Sequence, residues 1–348
     1  MKKHILVLAL GSAMVLSACG GGGGGSGGGS TPGSGTVGTG GGTTTPPTTP
    51  PATSTLSTIT DANATSVAAN AYAATTSVGA SSASLTDILT GVSVTKVNLN
   101  TVAPLIALAK RAYEGPQLLT GIVNSRTCSG GGTLSVDATV ASSSNISNGD
   151  TMKITANACV ESGETLSGTL SIKFSDVSGN INTSVFGATM DSTFTAFTIS
   201  SASDKITVDG DMKLTLNQTS STANTIQISG TSLKTSEQTG TAAVINRNVT
   251  AYTVSGKTEG STTTSAANFG LSGNSTSLDT FSYNVKNLAA FVSTGNAAPT
   301  SGSLIVNGNA SAVTASAVSN GVQVNFSNNG TTTTSSKTVD WTTFLNSI

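Results

Sequence analysis

Leu134-Ser135-Val136-Asp137-Ala138-Thr139-Val140 alternates apolar and polar side chains residue by residue. A strand turns successive side chains to opposite faces, so this beat puts the four apolar residues on one side and Ser135, Asp137 and Thr139 on the other. The same period returns at Met152, Ile154, Ala156 and Ala158, then at Leu166, Leu170, Ile172 and Phe174. It continues through Ile206, Val208, Met212, Leu214 and Leu216, through Ile226 and Ile228, and through Phe281, Tyr283 and Val285. Val322, Val324 and Phe326 close the series. Each run reads as a half-buried strand with one wet Ser/Thr face.

Asn148-Gly149, Asp209-Gly210, Asn307-Gly308, Asn320-Gly321 and Asn329-Gly330 punctuate these runs. Such pairs suit two-residue hairpin turns, whose central residues both need positive φ. Hairpins join antiparallel neighbours, so the pattern predicts a meander of roughly twelve to sixteen strands over 116–348. An open sheet of that size curls, closes or splits into two layers. The expected fold is therefore mainly β with a small helical part (α+β): a large curved antiparallel sheet, as half-barrel, sandwich or closed barrel, with helices packed on it. A weak internal echo links Ser167-Gly168-Thr169-Leu170 to Ser301-Gly302-Ser303-Leu304, with Gly132-Thr133-Leu134 as a shorter version. Its spacings are unequal, which argues against a solenoid repeat.

Upstream, over 56–115, the period changes to that of a helix. Thr60 or Asp61 can cap a helix whose apolar stripe is Ala64, Val67, Ala68, Ala71 and Tyr72. Ser84 and Asp87 resemble a capping box ahead of Ile88 and Leu89, with Gly91 as the stop. A third helix is expected from Val102 to Glu114, with Pro104 in its first turn and Gly115-Pro116 ending it. At the far end, Asp340 can cap a short turn carrying Trp341, Phe344 and Leu345, a trio suited to plugging one end of the core.

Composition excludes several functions. Charged residues are 9% of the chain and the formal net charge is −1. Nucleic-acid binding through counterion release needs a basic stripe that this chain does not have. The single histidine is His4. If it is removed with a leader, the working protein has no imidazole for a Ser-His-Asp triad or a zinc site. The Gly runs of 20–29 neither follow a strand nor end in Gly-Lys-Ser/Thr, so no phosphate loop and no cofactor motif is read. Glu161 and Glu164 are a weak glycosidase pair, because Ser162-Gly163 between them reads as a turn. Asp204, Asp209 and Asp211 are weak calcium candidates that depart from the spacing of a calcium loop. No metal, cofactor or catalytic residue is assigned.

The leader itself is explicit. Lys2 and Lys3 precede an apolar run, Ile5 to Val15, of about eleven residues, too short for a permanent span that needs about twenty. Leu16-Ser17-Ala18-Cys19 follows directly. This tetrapeptide resembles the lipobox of bacterial lipoproteins. The resemblance implies cleavage after Ala18, diacylglycerol on the Cys19 sulfur and acylation of the new amino group. Two or more acyl chains hold a protein stably to a membrane where one does not. Gly20, rather than Asp, follows the cysteine, which in that family implies the outer membrane, at its periplasmic face or the cell surface. Residues 1–18 are then the signal peptide, and 19–55 a disordered Gly/Ser/Thr/Pro leash ahead of one β-rich domain, 56–348.

Cys128 and Cys159 remain as an even pair in an oxidising compartment, which predicts a structural disulfide. The stretch between them, with its Gly-rich start and Asn-Gly-Asp turn, is similar to uncharacterised proteobacterial lipoproteins. Helices ahead of a long meander resemble, in architecture, the periplasmic lipoprotein-carrier fold, an incomplete barrel that shelters acyl chains. An integral barrel is disfavoured by the lipid signal, by 4% aromatic residues where girdles are expected, and by an end at Asn346-Ser347-Ile348. The expected role is non-enzymatic: a membrane-anchored protein that binds an envelope partner or an apolar ligand, or serves as an adhesive or structural surface protein.

Overall fold

A computed structural model describes residues 55–79 and 122–347, apart from breaks at 142–144, 162, 181–182, 184, 276 and 296. Cys19, the leash up to residue 54, and the helices expected at Ser84–Gly91 and Val102–Glu114 lie outside the described residues.

The described chain holds two helices, α1 (Ala64–Gly79) and α2 (Trp341–Leu345), and fourteen strands. The strands are β1 (Ile122–Thr127), β2 (Thr133–Thr139), β3 (Thr151–Glu161), β4 (Glu164–Gly179), β5 (Phe186–Ser200), β6 (Asp204–Ser220) and β7 (Ala223–Thr239). The second half holds β8 (Ile245–Glu259), β9 (Thr262–Asn274), β10 (Thr280–Thr294), β11 (Ser301–Gly308), β12 (Ser311–Val318), β13 (Gly321–Ser327) and β14 (Ser335–Val339). Every strand pairs antiparallel with its sequence neighbours in one sheet. β1 and β14 are its two edges, so the sheet is an open meander. The closed barrel and the two-layer sandwich among the expected shapes are thereby corrected.

The expected hairpin turns need correction too. Asp209-Gly210 lies inside β6 and Asn307-Gly308 inside β11. The β11–β12 turn is Asn309-Ala310, because Asn307 pairs with Ala312 and Gly308 with Ser311. Gly308 is small for another reason: the carbonyl of Ser57 and the side chain of Ile59 occupy the space a Cβ would need. Val318 pairs with Gly321, so Ser319-Asn320 forms the next turn. Asn148-Gly149 and Asn329-Gly330 sit in longer connections. At Gly210 and Gly308 a neighbouring carbonyl, of Ser232 and Ser57 respectively, occupies the space a Cβ would need, and local turn chemistry is overridden there.

α1 begins at a reciprocal cap. Thr60 N–H donates to Asn63 Oδ1 at 2.8 Å, and Asn63 N–H donates to Thr60 Oγ1 at 3.4 Å. This is a capping box with Asn in the third position. Thr60, not Asp61, is the cap; Asp61 accepts a hydrogen bond from the Ser335 hydroxyl. The predicted stripe is buried, and so are Ala69, Asn70, Ala74 and Thr75. A helix with so little polar face is enclosed rather than laid on a surface. Its N-terminal approach is tied to one end of the sheet: Ser57 N–H donates to the Ser282 carbonyl, and Asn309 N–H to that of Ser57. Further along, Tyr72 meets Phe291 near the far end of β10, with ring centroids 4.8 Å apart. So α1 runs roughly along the strands. It packs on β8, β9, β11, β12 and β13. Five strand steps span ~24 Å on a flat sheet, while a helix is ~10–12 Å across. The sheet therefore bends around α1.

α2 closes the end that Tyr72 reaches. Asp340 caps it, accepting from Thr343 N–H at 2.9 Å. Phe344 is fully buried, 5.9 Å from the Tyr72 ring, and Trp341 lies 5.1 Å from the same ring. The Trp341, Phe344 and Leu345 trio plugs the core as its spacing suggested. Cys128 and Cys159 form a disulfide with Cα atoms 5.4 Å apart, joining the β1–β2 connection to β3.

Candidate functional site: a charged groove on the outer face

The long strands are interrupted by β-bulges, and bulges on neighbouring strands adjoin one another across the sheet. Register shifts occur at Ala156/Cys159 on β3, Ser167/Thr169 on β4, Phe194/Phe197 on β5, Gly210/Lys213 on β6, Thr250/Thr253 on β8 and Asn287/Val292 on β10. A bulge bends its strand and increases local twist. It also re-phases the faces: Met190, Ser192 and Phe194 point inward before the β5 bulge, and Phe197 after it. Strict alternation would have turned Phe197 to water.

A bulge leaves main-chain donors without ladder partners. Acidic and amide side chains supply the acceptors. Asp209 accepts from Ala196 N–H at 3.0 Å. Asp211 accepts from Thr231 N–H at 2.8 Å and Ser232 N–H at 3.0 Å. Asn287 accepts from Ala267 N–H at 2.8 Å. This is where the calcium candidates are used: Asp209 and Asp211 reach opposite neighbours of β6, and Asp204 lies at the β5–β6 turn, bonded to the Ser203 hydroxyl. Among the described residues no group of three or more carboxylates, thiols or imidazoles is placed to hold a metal. Glu161 and Glu164 are paired positions flanking the β3–β4 turn. Burial pushes the Glu164 carboxyl above its ordinary value.

The unequal echo in the sequence now has a physical meaning. Gly132, Gly168 and Gly302 all have positive φ, at 74°, 91° and 118°. At each, a Cβ would overlap the neighbouring strand's main chain, at Ala158, Ala196 and Phe291 respectively. The leucine two residues on, Leu134, Leu170 or Leu304, packs into or against the core. Ser-Gly-Thr/Ser-Leu therefore marks a glycine that faces a bulge on the neighbouring strand, followed by an inward leucine. Unequal spacing concealed this, because the strands differ in length.

Beside these bulges, the outer face is hollowed into a groove of about 580 Å³. Two cross-strand rows build it. One runs Asp137, Lys153, Ser171, Thr193, Asp211 from β2 to β6; the other runs Thr139, Thr151, Lys173, Asp191, Lys213. Asp137, Lys153, Lys173, Asp191 and Lys213 are exposed. Among the described residues the ion pairs within 4 Å are Arg247–Glu237, partly buried, and Lys257–Glu259; neither is in the groove. On sequence alone Asp137 belongs to a wet strand face, with no groove to be seen. The signal was present, since lysine and aspartate alternate at outward positions of successive strands, but it becomes visible only with the register.

Among the described residues the outer face carries no apolar band. Val185, Val244 and Leu288 are the exposed large apolar residues among those described. Lysine facing lipid at mid-bilayer depth costs about 2–4 kcal/mol each. No described helix is long and apolar enough to cross a membrane. No family model, no curated protein and no solved structure matches the chain.

Proposed function

We propose that this chain is a lipid-anchored protein of the bacterial cell envelope, with a non-catalytic binding role carried by its β-rich domain. The observation that carries the reading is Leu16-Ser17-Ala18-Cys19, directly behind a short apolar run and ahead of a Gly/Pro leash. Lipid on Cys19 supplies the anchor, and Gly20 favours the outer membrane. The fold supports a binding role on the outer face: among the described residues, α1 with Tyr72, Phe291 and Phe344 packs into the inner side of the sheet at β8–β13, while the groove on β2–β6 opens to solvent.

Fractionation tests the anchor. Wild type partitions with membranes and incorporates a palmitate probe; Cys19→Ser is soluble and unlabelled. Equal partitioning of both proteins overturns the proposal. The non-catalytic part fails if the purified domain turns over a substrate from an envelope hydrolase panel and Glu161→Gln or Glu164→Gln removes that turnover. Native mass spectrometry tests the carrier alternative: a co-purifying lipid would favour it over the outer-face reading. Protease shaving of intact cells separates a surface adhesive from a periplasmic protein.

A further inference from the structure

We infer that the outer groove is a binding site for a zwitterionic glycan, a linear oligosaccharide carrying both amino and carboxylate groups. The inference deepens the binding role proposed above and rests on it.

Three observations carry it. The first is charge order. Lys173, Asp191 and Lys213 are directly paired positions on β4, β5 and β6, and Asp137 and Lys153 are paired on β2 and β3. Opposite charges thus lie side by side, yet none of these pairs closes to 4 Å, whereas Lys257 and Glu259 do so at 2.8 Å. Lys153, Lys173 and Lys213 balance Asp137, Asp191 and Asp211, so neither a polyanion nor a polycation gains from the groove as a whole. A chain bearing both signs matches it locally.

The second is the hydroxyl lining. Thr139, Thr151, Ser171 and Thr193 stand between the charges. Hydroxyls donate and accept, carboxylates accept and ammonium groups donate, which suits a polyol. The third is direction. The groove crosses five strands, ~19 Å at strand spacing, and its volume falls in the range of small-ligand sites of ~300–1,000 Å³. A peptide adding to a sheet runs along an edge and uses main-chain bonds; here the main chain is already paired within the sheet. The ligand lies across the strands and is held by side chains.

Asp211 has a separate task. Both of its oxygens accept main-chain hydrogen bonds from β7, so Asp137 and Asp191 are the carboxylates free to receive amino groups. With no aromatic platform in the lining, each site binds weakly and in a salt-sensitive way. Many copies tethered to one membrane convert weak sites into firm attachment.

The test uses the full-length protein in detergent and five probes: carboxymethyl-chitosan hexamer (both signs), chitosan hexamer, hexagalacturonate, maltohexaose and an alternating Lys-Glu octapeptide. The expected result is binding of the first at least tenfold tighter than the others, weakened between 50 and 500 mM salt. Asp191→Asn and the double variant Lys173→Gln/Lys213→Gln each lose at least fivefold while retaining wild-type circular dichroism and melting. Equal or tighter binding of any single-sign or neutral probe overturns the inference, as does binding of none, or unchanged affinity in both variants. Tighter binding of an alternating Lys-Glu octapeptide would assign the groove to peptides and overturn it as well. Membrane partitioning of Cys19→Ser is read separately, so the anchor and the groove fail independently.

Discussion

Gly168 of β4 and Ala196 of β5 meet main chain to main chain, with no room for a side chain between them. Both have positive φ, 91° and 45°. The conformation costs glycine nothing sterically, but costs an L-residue about 1–2 kcal/mol. Two substitutions therefore have opposite signs. Gly168→Ala should destabilise by about 1–3 kcal/mol, because a methyl group would be forced into a fixed carbonyl. Ala196→Gly should leave stability unchanged or raise it by up to about 1 kcal/mol, despite the added freedom of the unfolded chain. Urea midpoints of the two variants against wild type decide this, and equal losses in both would show that the bulge is not strained at Ala196.

The Cys128–Cys159 disulfide closes a loop with a sequence separation of 31. The chain-entropy relation gives about 3–4 kcal/mol of stabilisation for such a loop. Cys128→Ser/Cys159→Ser should lower the denaturation free energy by that order. Wild type treated with a strong reductant after partial unfolding should approach the variant. Both cysteines are buried in the native fold, so reduction without unfolding should be slow.

The carboxylate of Asp340 accepts from the Thr343 hydroxyl at 2.6 Å and from Thr343 N–H at 2.9 Å. These bonds, the hydroxyl first, hold its carboxyl below the ordinary aspartate value. A depressed carboxylate pKa contributes stability above the unfolded value, which is lost as pH falls through the folded one. Undocking of α2 should therefore begin below about pH 4. Trp341, the single tryptophan, reports it beside Tyr72. Wild-type emission should shift red on acidification, while Asp340→Ala should show a frayed signal already at pH 7 and a smaller change with pH.

Glu164 has the opposite sign. Burial raises its carboxyl, so folding is penalised as pH rises from the unfolded value through the folded one. Glu164→Gln should be slightly more stable than wild type at pH 7, with the difference closing below about pH 4. Melting temperatures at pH 3.5 and 7 check both parts. A variant less stable at pH 7 would point instead to a needed carboxylate at the β3–β4 turn.

Period and cap chemistry located α1, α2 and seven of the fourteen strands from the residues alone. Alternation at Leu134–Thr139 and Met152–Ala156 survives in the structure because both runs lie on unbroken stretches of strand. It fails as a guide at Phe194–Phe197, where one extra residue reverses the faces. Asp209-Gly210 has turn composition, yet it sits in mid-strand because Gly210 faces the Ser232 carbonyl and Asp209 bridges to Ala196. Both misreadings share a cause: a bulge is defined by its partner strand, which a single stretch of sequence does not contain.

The sequence by itself determined the strand-rich nature of the chain, the Cys128–Cys159 pairing and the cap at Asp340, and narrowed the α1 cap to Thr60 or Asp61. These depend on neighbours within a few residues or on counting. Only the tertiary structure decided that the sheet stays open at β1 and β14 and bends around an enclosed α1. It alone brought Lys153, Lys173, Asp191 and Lys213 into one groove. Strand register is set by which apolar residues meet in the core and by where bulges shift the count. The outward charges are carried along by that register, so they become neighbours only once the core has been packed.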